Sequence, residues 1–139
     1  MGGRRRAREN ALQMLVQIDL AGDTPAQVFE HFWEGQIEAD ASTRAFAERL
    51  VNGVVRERPR LDRAIAEQAR NWRLERMAVV DRNVLRVAVW ELLFDPETPP
   101  PVVIDEAVEV ARRFGSEQSA SFINGVLDAI LRAHGAPGP

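Results

Sequence analysis

The sequence of 139 residues predicts an all-α fold, and three observations carry that expectation. Apolar residues recur three and four positions apart along most of the chain, the spacing of one helix face. Pro25 and Pro59 stand where helices are expected to start, and the prolines of 95–101 and Gly115 where they stop. The only β-branched run, at 102–104, is too short to build a sheet. Hydrophobic residues make up 45% of the chain, which suits a single folded domain with a real core.

Each element follows in order. Over 5–20, Ala7, Ala11, Leu15 and Ile18 lie on one face, flanked by Leu12 and Val16. "DTPAQVFEHFWE" starts a second helix, with Thr24 as N-cap, Pro25 in the first turn, and Val28, Phe29, Phe32 and Trp33 facing inward. A third spans about 43–56 with Phe46, Leu50 and Val54 in a row. Pro59 opens a fourth that carries Leu61, Ile65, Ala69 and Trp72. "MAVVDRNVLRVAVWELLF" is the fifth and the most buried, with Val80, Val84, Leu85, Ala88 and Leu92 inward. The prolines of "DPETPPP" break the chain. A sixth helix, "VVIDEAVEVARRFG", stops at Gly115, expected at C′. A seventh, "SASFINGVLDAILRAHG", turns Phe122, Ile123, Val126, Leu127 and Ile130 to the core. No internal repeat is visible, and the tail 135–139 reads as disordered.

Composition removes several function classes. There is no cysteine, and all 18 basic residues are arginine. Disulfides, thiolate zinc sites, cysteine nucleophiles, a P-loop lysine and a Schiff-base lysine are therefore excluded. His31 and His134 have no partner at metal-ligand spacing, so neither metal nor cofactor is expected. No Gly-rich phosphate cradle and no nucleophile elbow occurs, and the carboxylates of "IDEAVE" read as a solvated face. Nothing points to an enzyme. No run is apolar enough for a membrane span, and a cytoplasmic home fits the missing cysteines.

The net charge of −3 conceals a polarity. Arg4, Arg5, Arg6 and Arg8 open the first helix with no acid among them. The rest of the chain sets 21 acids against 14 arginines. Arginine at a helix N-terminus opposes the helix dipole, so the cluster needs another reason to exist. Guanidinium groups fork onto phosphates, and Arg6, Asn10, Gln13 and Gln17 share one face where amides can reach base edges. A helical protein without a helix-turn-helix or zipper signature fits single-stranded RNA better than duplex DNA. Arg56 and Arg58, like Arg112 and Arg113, stand where a helix C-terminus welcomes cations. The basic end and acidic body together predict separate surfaces for a polyanion and a basic protein.

The blocks "RRRARENALQMLVQ", "LVNGVV", "LDRAI", "DRNVLRVAVWELL", "IDEAVEVARRFG" and "FINGVLDAI" occur in the order seen in the NusB family, which the chain resembles over roughly 4–131. That family comprises bacterial transcription antitermination factors. The resemblance implies two small helical bundles in one domain, about 1–57 and 58–134. It implies binding of single-stranded boxA RNA from ribosomal RNA operons, jointly with the ribosomal protein NusE, within the RNA polymerase antitermination complex. Arg4, Arg5, Arg6 and Arg8 match its RNA-binding N-terminus, with Asn10 and Gln13 beside them. "SEQSASF" matches a second RNA-contacting region, making Gln118 and Phe122 candidates, although Phe122 also has core spacing with Val126. Glu75 and Asp81 match the protein-partner surface. Val16 stands where some relatives carry an aromatic residue, and neutral Gln118 where an acid can stand. The module also resembles the N-terminal domain of some ribosomal RNA cytosine methyltransferases, but 139 residues leave no room for a methyl-donor domain. A helical adaptor that binds only protein is the third reading, and a homodimer stays open.

Overall fold

The computed structural model describes residues 2–36 and 39–135, so of the 135–139 tail only Gly135 is described. Among the described residues the elements are six α-helices and two short 3-10 turns, with no strand. They are α1 (Gly2–Ala21), α2 (Pro25–Phe32), α3 (Ala41–Gln68), α4 (Val79–Phe94), α5 (Pro100–Phe114) and α6 (Ser119–His134). The turns span Trp33–Gly35 and Leu74–Arg76.

Local chemistry sets the starts. Thr24 caps α2 in a reciprocal box: its hydroxyl accepts from the Gln27 amide at 3.2 Å, and the Thr24 amide donates to the Gln27 side chain at 2.8 Å. Asp40 caps α3 by accepting from the Thr43 amide at 2.8 Å, which starts that helix at Ala41. The prolines at 100 and 101 occupy the first turn of α5, where a missing N–H costs nothing. The β-branched run that follows them is helical.

About seven helices were expected and, among the described residues, six are found, because Pro59 lies inside α3 instead of opening a new helix. An internal proline costs about 3 kcal/mol. Leu61 and Ile65, both fully buried two and six residues later, return about 1.5–3 kcal/mol each. Pro59 itself faces solvent. Burial therefore outweighs the break, and the 57/58 division between the expected bundles falls within a helix shared by both. Arg56 and Arg58 consequently stand mid-helix and not at a C-terminus.

α4 lies at the centre, packed against α1, α3, α5 and α6. Every residue from 83 to 92 is buried, including Arg86 and Glu91. The glycine of "LVNGVV", Gly53, is there because the Trp90 ring of α4 lies where its Cβ would be. Gly115 ends α5 in an extended conformation, φ −99°, and not in the left-handed one expected at C′. Its smallness serves close approach, since a Cβ would stand 2.8 Å from the Ala111 carbonyl oxygen and meet the Ser119 side chain. Trp72, expected in the core, is 59% exposed, because it lies beyond the end of α3 on the segment leading to the second 3-10 turn.

Candidate nucleic-acid interface

The four N-terminal arginines lie on α1 and divide by depth. Arg8 is 4% exposed. Its Nε and Nη2 donate to the two oxygens of Glu91, each at 2.8 Å, deep between α1 and α4. Arg8 is thus a core residue, because the face it shares with Leu12 and Leu15 packs against the central helix. Arg4, Arg5 and Arg6 remain exposed. Asn10 is buried too, while Gln13 and Gln17 face solvent. The expected row of Arg6, Asn10, Gln13 and Gln17 is therefore interrupted at Asn10.

Three of the arginines that oppose the helix dipole, Arg4, Arg5 and Arg8, have carboxylate partners from distant parts of the chain. Arg5 makes a two-pronged contact with Glu106 of α5, at 3.0 and 2.8 Å. Those bonds, together with the attraction of Arg5 and Arg8, hold the Glu106 carboxyl below its ordinary range despite partial burial. Arg4 donates to Glu97 at 2.8 Å, in the loop between α4 and α5. Arg49 of α3 reaches the other oxygen of Glu97 at 3.0 Å and also pairs with Asp95. Arg113, at the end of α5, pairs with Glu9 at 2.7 Å. Phe46 supports the cluster from below, with the guanidinium of Arg4 4.1 Å from its ring centre and that of Arg8 at 5.3 Å.

Exposure decides what this cluster offers a ligand. The Arg8 and Glu91 side chains are 5% and 1% exposed, so the pair is fixed. Arg4, Arg5 and Arg49 are each about half exposed and keep guanidinium N–H groups toward solvent. Arg5, Arg6, Glu9, Asp40, Thr43 and Arg113 line one shallow depression. A second groove, between α5 and α6, runs from Arg5 past Arg112 to Glu117 and Ser121. It links the arginine end to the loop that carries Gln118.

Gln118 and Phe122 lie on the other side of that loop. Phe122 is half-buried, its ring set edge-on to Trp72 at 6.0 Å. Both rings line a depression with Arg76, Met77, Ala78, Asp81 and Gln118. Sequence reasoning assigned Gln118 and Phe122 to one partner and Asp81 to another; the fold brings all three together. One carboxylate oxygen of Asp81 is buried without a hydrogen-bond partner. Glu75 is exposed in the turn just before.

No local sequence signal marks Arg49, Glu97 or the inward role of Glu106, whose "IDEAVE" motif has the pattern of a solvated face. Its side chain is 16% exposed. One signal was present: Arg86 and Glu91 interrupt the most apolar helix, and charge there implies buried partners.

The family model for NusB matches residues 5–132. This chain belongs to the NusB family. The transcription antitermination protein NusB of Sorangium cellulosum is 49% identical over 130 residues, covering 94% of this chain and 92% of that protein. The structure of T. maritima NusB superposes with a TM-score of 0.87 at 37% identity, covering 96% of this chain and 93% of that one. A crystal structure of antitermination factors NusB and NusE in complex with double-stranded RNA contains a chain with TM-score 0.87 and 31% identity, covering 96% of this chain and 98% of its own. The names of the family and of this relative point to a regulatory, non-catalytic protein. Among the described residues no helix is long and apolar enough to cross a membrane, and no cluster of metal-binding side chains occurs.

Proposed function

We propose that this protein binds boxA RNA of nascent ribosomal RNA transcripts together with the ribosomal protein NusE, in the cytoplasm, and so helps RNA polymerase read through terminators. Its likeness to the NusB chain of a NusB–NusE–RNA complex carries this reading. The exposed arginines at one end of α1 give it chemical content. Arg4, Arg5 and Arg6 contact phosphates, with Gln13 beside them, while Arg8 and Asn10 act from inside by fixing α1 on the core. Phe122 and Gln118 receive RNA at the far side of the α5–α6 loop, where the exposed Trp72 ring adds a stacking surface. Asp81 and Glu75 meet the cationic partner next to that point, so protein and RNA become neighbours. The activity needs no cofactor and no catalysis, and the domain acts as one unit in which α3 joins the two bundles.

A gel-shift titration tests the reading, using single-stranded boxA-like RNA, a scrambled strand and the duplex of the same sequence, each with and without NusE. The expected result is preference for the boxA strand and tighter binding with NusE. Linkage then requires RNA to tighten NusE binding by the same factor. Asp81→Arg should weaken NusE binding and slow association at low salt. Equal binding of scrambled and boxA strands in the presence of NusE would overturn the assignment.

A further inference from the structure

We propose that Glu97 is an internal competitor for RNA phosphate, its two carboxylate oxygens occupying the guanidinium groups of Arg4 and Arg49 at the RNA-facing end. The inference rests on the RNA-binding reading above. Glu97 sits in the loop between α4 and α5, and the two arginines reach it from α1 and α3. Arg4 Nη2 donates to Oε1 at 2.8 Å and Arg49 Nη2 to Oε2 at 3.0 Å. A phosphodiester offers the same acceptor, two anionic oxygens on one centre. Glu97 therefore stands where a phosphate would stand between these two cations.

The surroundings keep the cations in place whichever anion they hold. Phe46 is buried, and both guanidinium groups lie over its ring, Arg4 at 4.1 Å and Arg49 at 5.9 Å. Arg49 has a second anchor in Asp95. Among the described residues Glu97 pairs with these two arginines alone, and its side chain is 48% exposed. Hydrogen bonds from Arg49 and Arg4 hold its carboxyl below the ordinary range, so it is charged whenever RNA arrives at neutral pH. Exposed ion pairs of this kind exchange readily because water screens them. The buried Arg8–Glu91 pair cannot exchange in this way. RNA binding at Arg4 and Arg49 is then a replacement of one anion by another, with Glu97 swinging into solvent. The released carboxylate takes up a counterion, which offsets part of the ions the RNA gives up.

The test measures affinity for single-stranded boxA-like RNA across a salt series. Glu97→Gln and Glu97→Ala should each bind about three- to tenfold more tightly than wild type, with a steeper salt dependence. Asp128→Asn makes the same change in net charge on α6, where Asp128 pairs with Arg132, and should gain much less. In an Arg4→Ala/Arg49→Ala background, Glu97→Gln should add nothing, because the sites it competes for are gone. If the arginine variant loses affinity while Glu97→Gln matches or falls below wild type, Glu97 positions the arginines and the competitor idea is wrong, with RNA binding at this end intact. An equal gain for Asp128→Asn would reduce the effect to bulk charge and overturn it as well. If neither the arginine nor the Glu97 variants alter binding, RNA does not use this end and both readings fail.

Discussion

At its N-terminal end α1 offers several arginines to carboxylates that arrive from α5 and the α4–α5 loop; at its C-terminal end it offers one carboxylate, Asp19, to cations from α3 and α4. Asp19 accepts from Arg82 at 2.7 Å, Asn83 at 2.9 Å and Arg86 at 3.0 Å, and Asp62 of α3 closes the cluster on Arg86 at 2.8 Å. The Asp19 side chain is 7% exposed and that of Arg86 4%. At the other end Arg4 and Glu97 are about half open to water. One end spends its charges on holding three helices together. The other holds them loosely, within reach of an incoming anion. Arg8 shows where the boundary runs, for it belongs to the N-terminal run by sequence and to the rigid core by position.

The sharpest way to break this comparison is to remove Arg8. Arg8→Ala leaves the buried Glu91 carboxyl without its partner, which should lower stability by about 3–5 kcal/mol. The pair Arg8→Met/Glu91→Leu removes both charges at similar volume and should recover most of that loss. Urea denaturation at neutral pH checks both. A cost near zero for Arg8→Ala would place Arg8 with its exposed neighbours.

Asp19 provides the next largest effect and a pH signature. Burial is the strongest single influence on its carboxyl and favours protonation. Hydrogen bonds from Arg82 and Asn83, with the attraction of Arg86 and Arg82, overcome it and bring the pKa from 3.8 to about 2. A folded-state pKa below the unfolded one stabilises the protein above the unfolded value, by about 2 kcal/mol here. That contribution disappears as pH falls from about 4 to 2. The stability gap between wild type and Asp19→Asn should therefore narrow across the same window. A gap that stays constant would mean that Asp19 is not held ionised by its arginines.

How much of this was legible beforehand follows from what sets each feature. Helix faces such as Ala7–Ala11–Leu15 and Ile123–Leu127–Ile130 depend on local periodicity, and they lie buried as read. Pro59 misled because its local cost is overruled by burial that only the fold supplies. The arginine cluster was visible, but its counter-charges lie some 90 to 100 positions away at Glu97 and Glu106, and no local pattern pairs them. The burial of Arg8 was readable in principle, since it shares a face with buried Ala11 and Leu15 one and two turns on, but Arg4 lies on that same face and periodicity does not separate the two. Depth decides between them: residue 4 lies at the open end of the helix and residue 8 against α4.

The smallest effect on stability should come from the exposed arginines, and there the comparison becomes a functional test. Arg4→Ala/Arg5→Ala/Arg6→Ala removes three cations from the outer end of α1 while leaving the Arg8–Glu91 pair in place. Surface pairs contribute little because water screens them, and losing positive charge at a helix N-terminus is favourable in itself. The denaturation midpoint should stay close to that of wild type. RNA affinity should not. With roughly 0.7 lost per phosphate contact, the slope of log affinity against log salt should become shallower by about 2. Fluorescence anisotropy with a single-stranded boxA-like oligonucleotide over a salt series reads that slope directly. Circular dichroism on the same samples confirms the helices. A triple variant that unfolds would show that the outer arginines are structural, as Arg8 is. A folded variant with an unchanged slope would move the RNA contacts away from α1, toward Phe122 and Trp72.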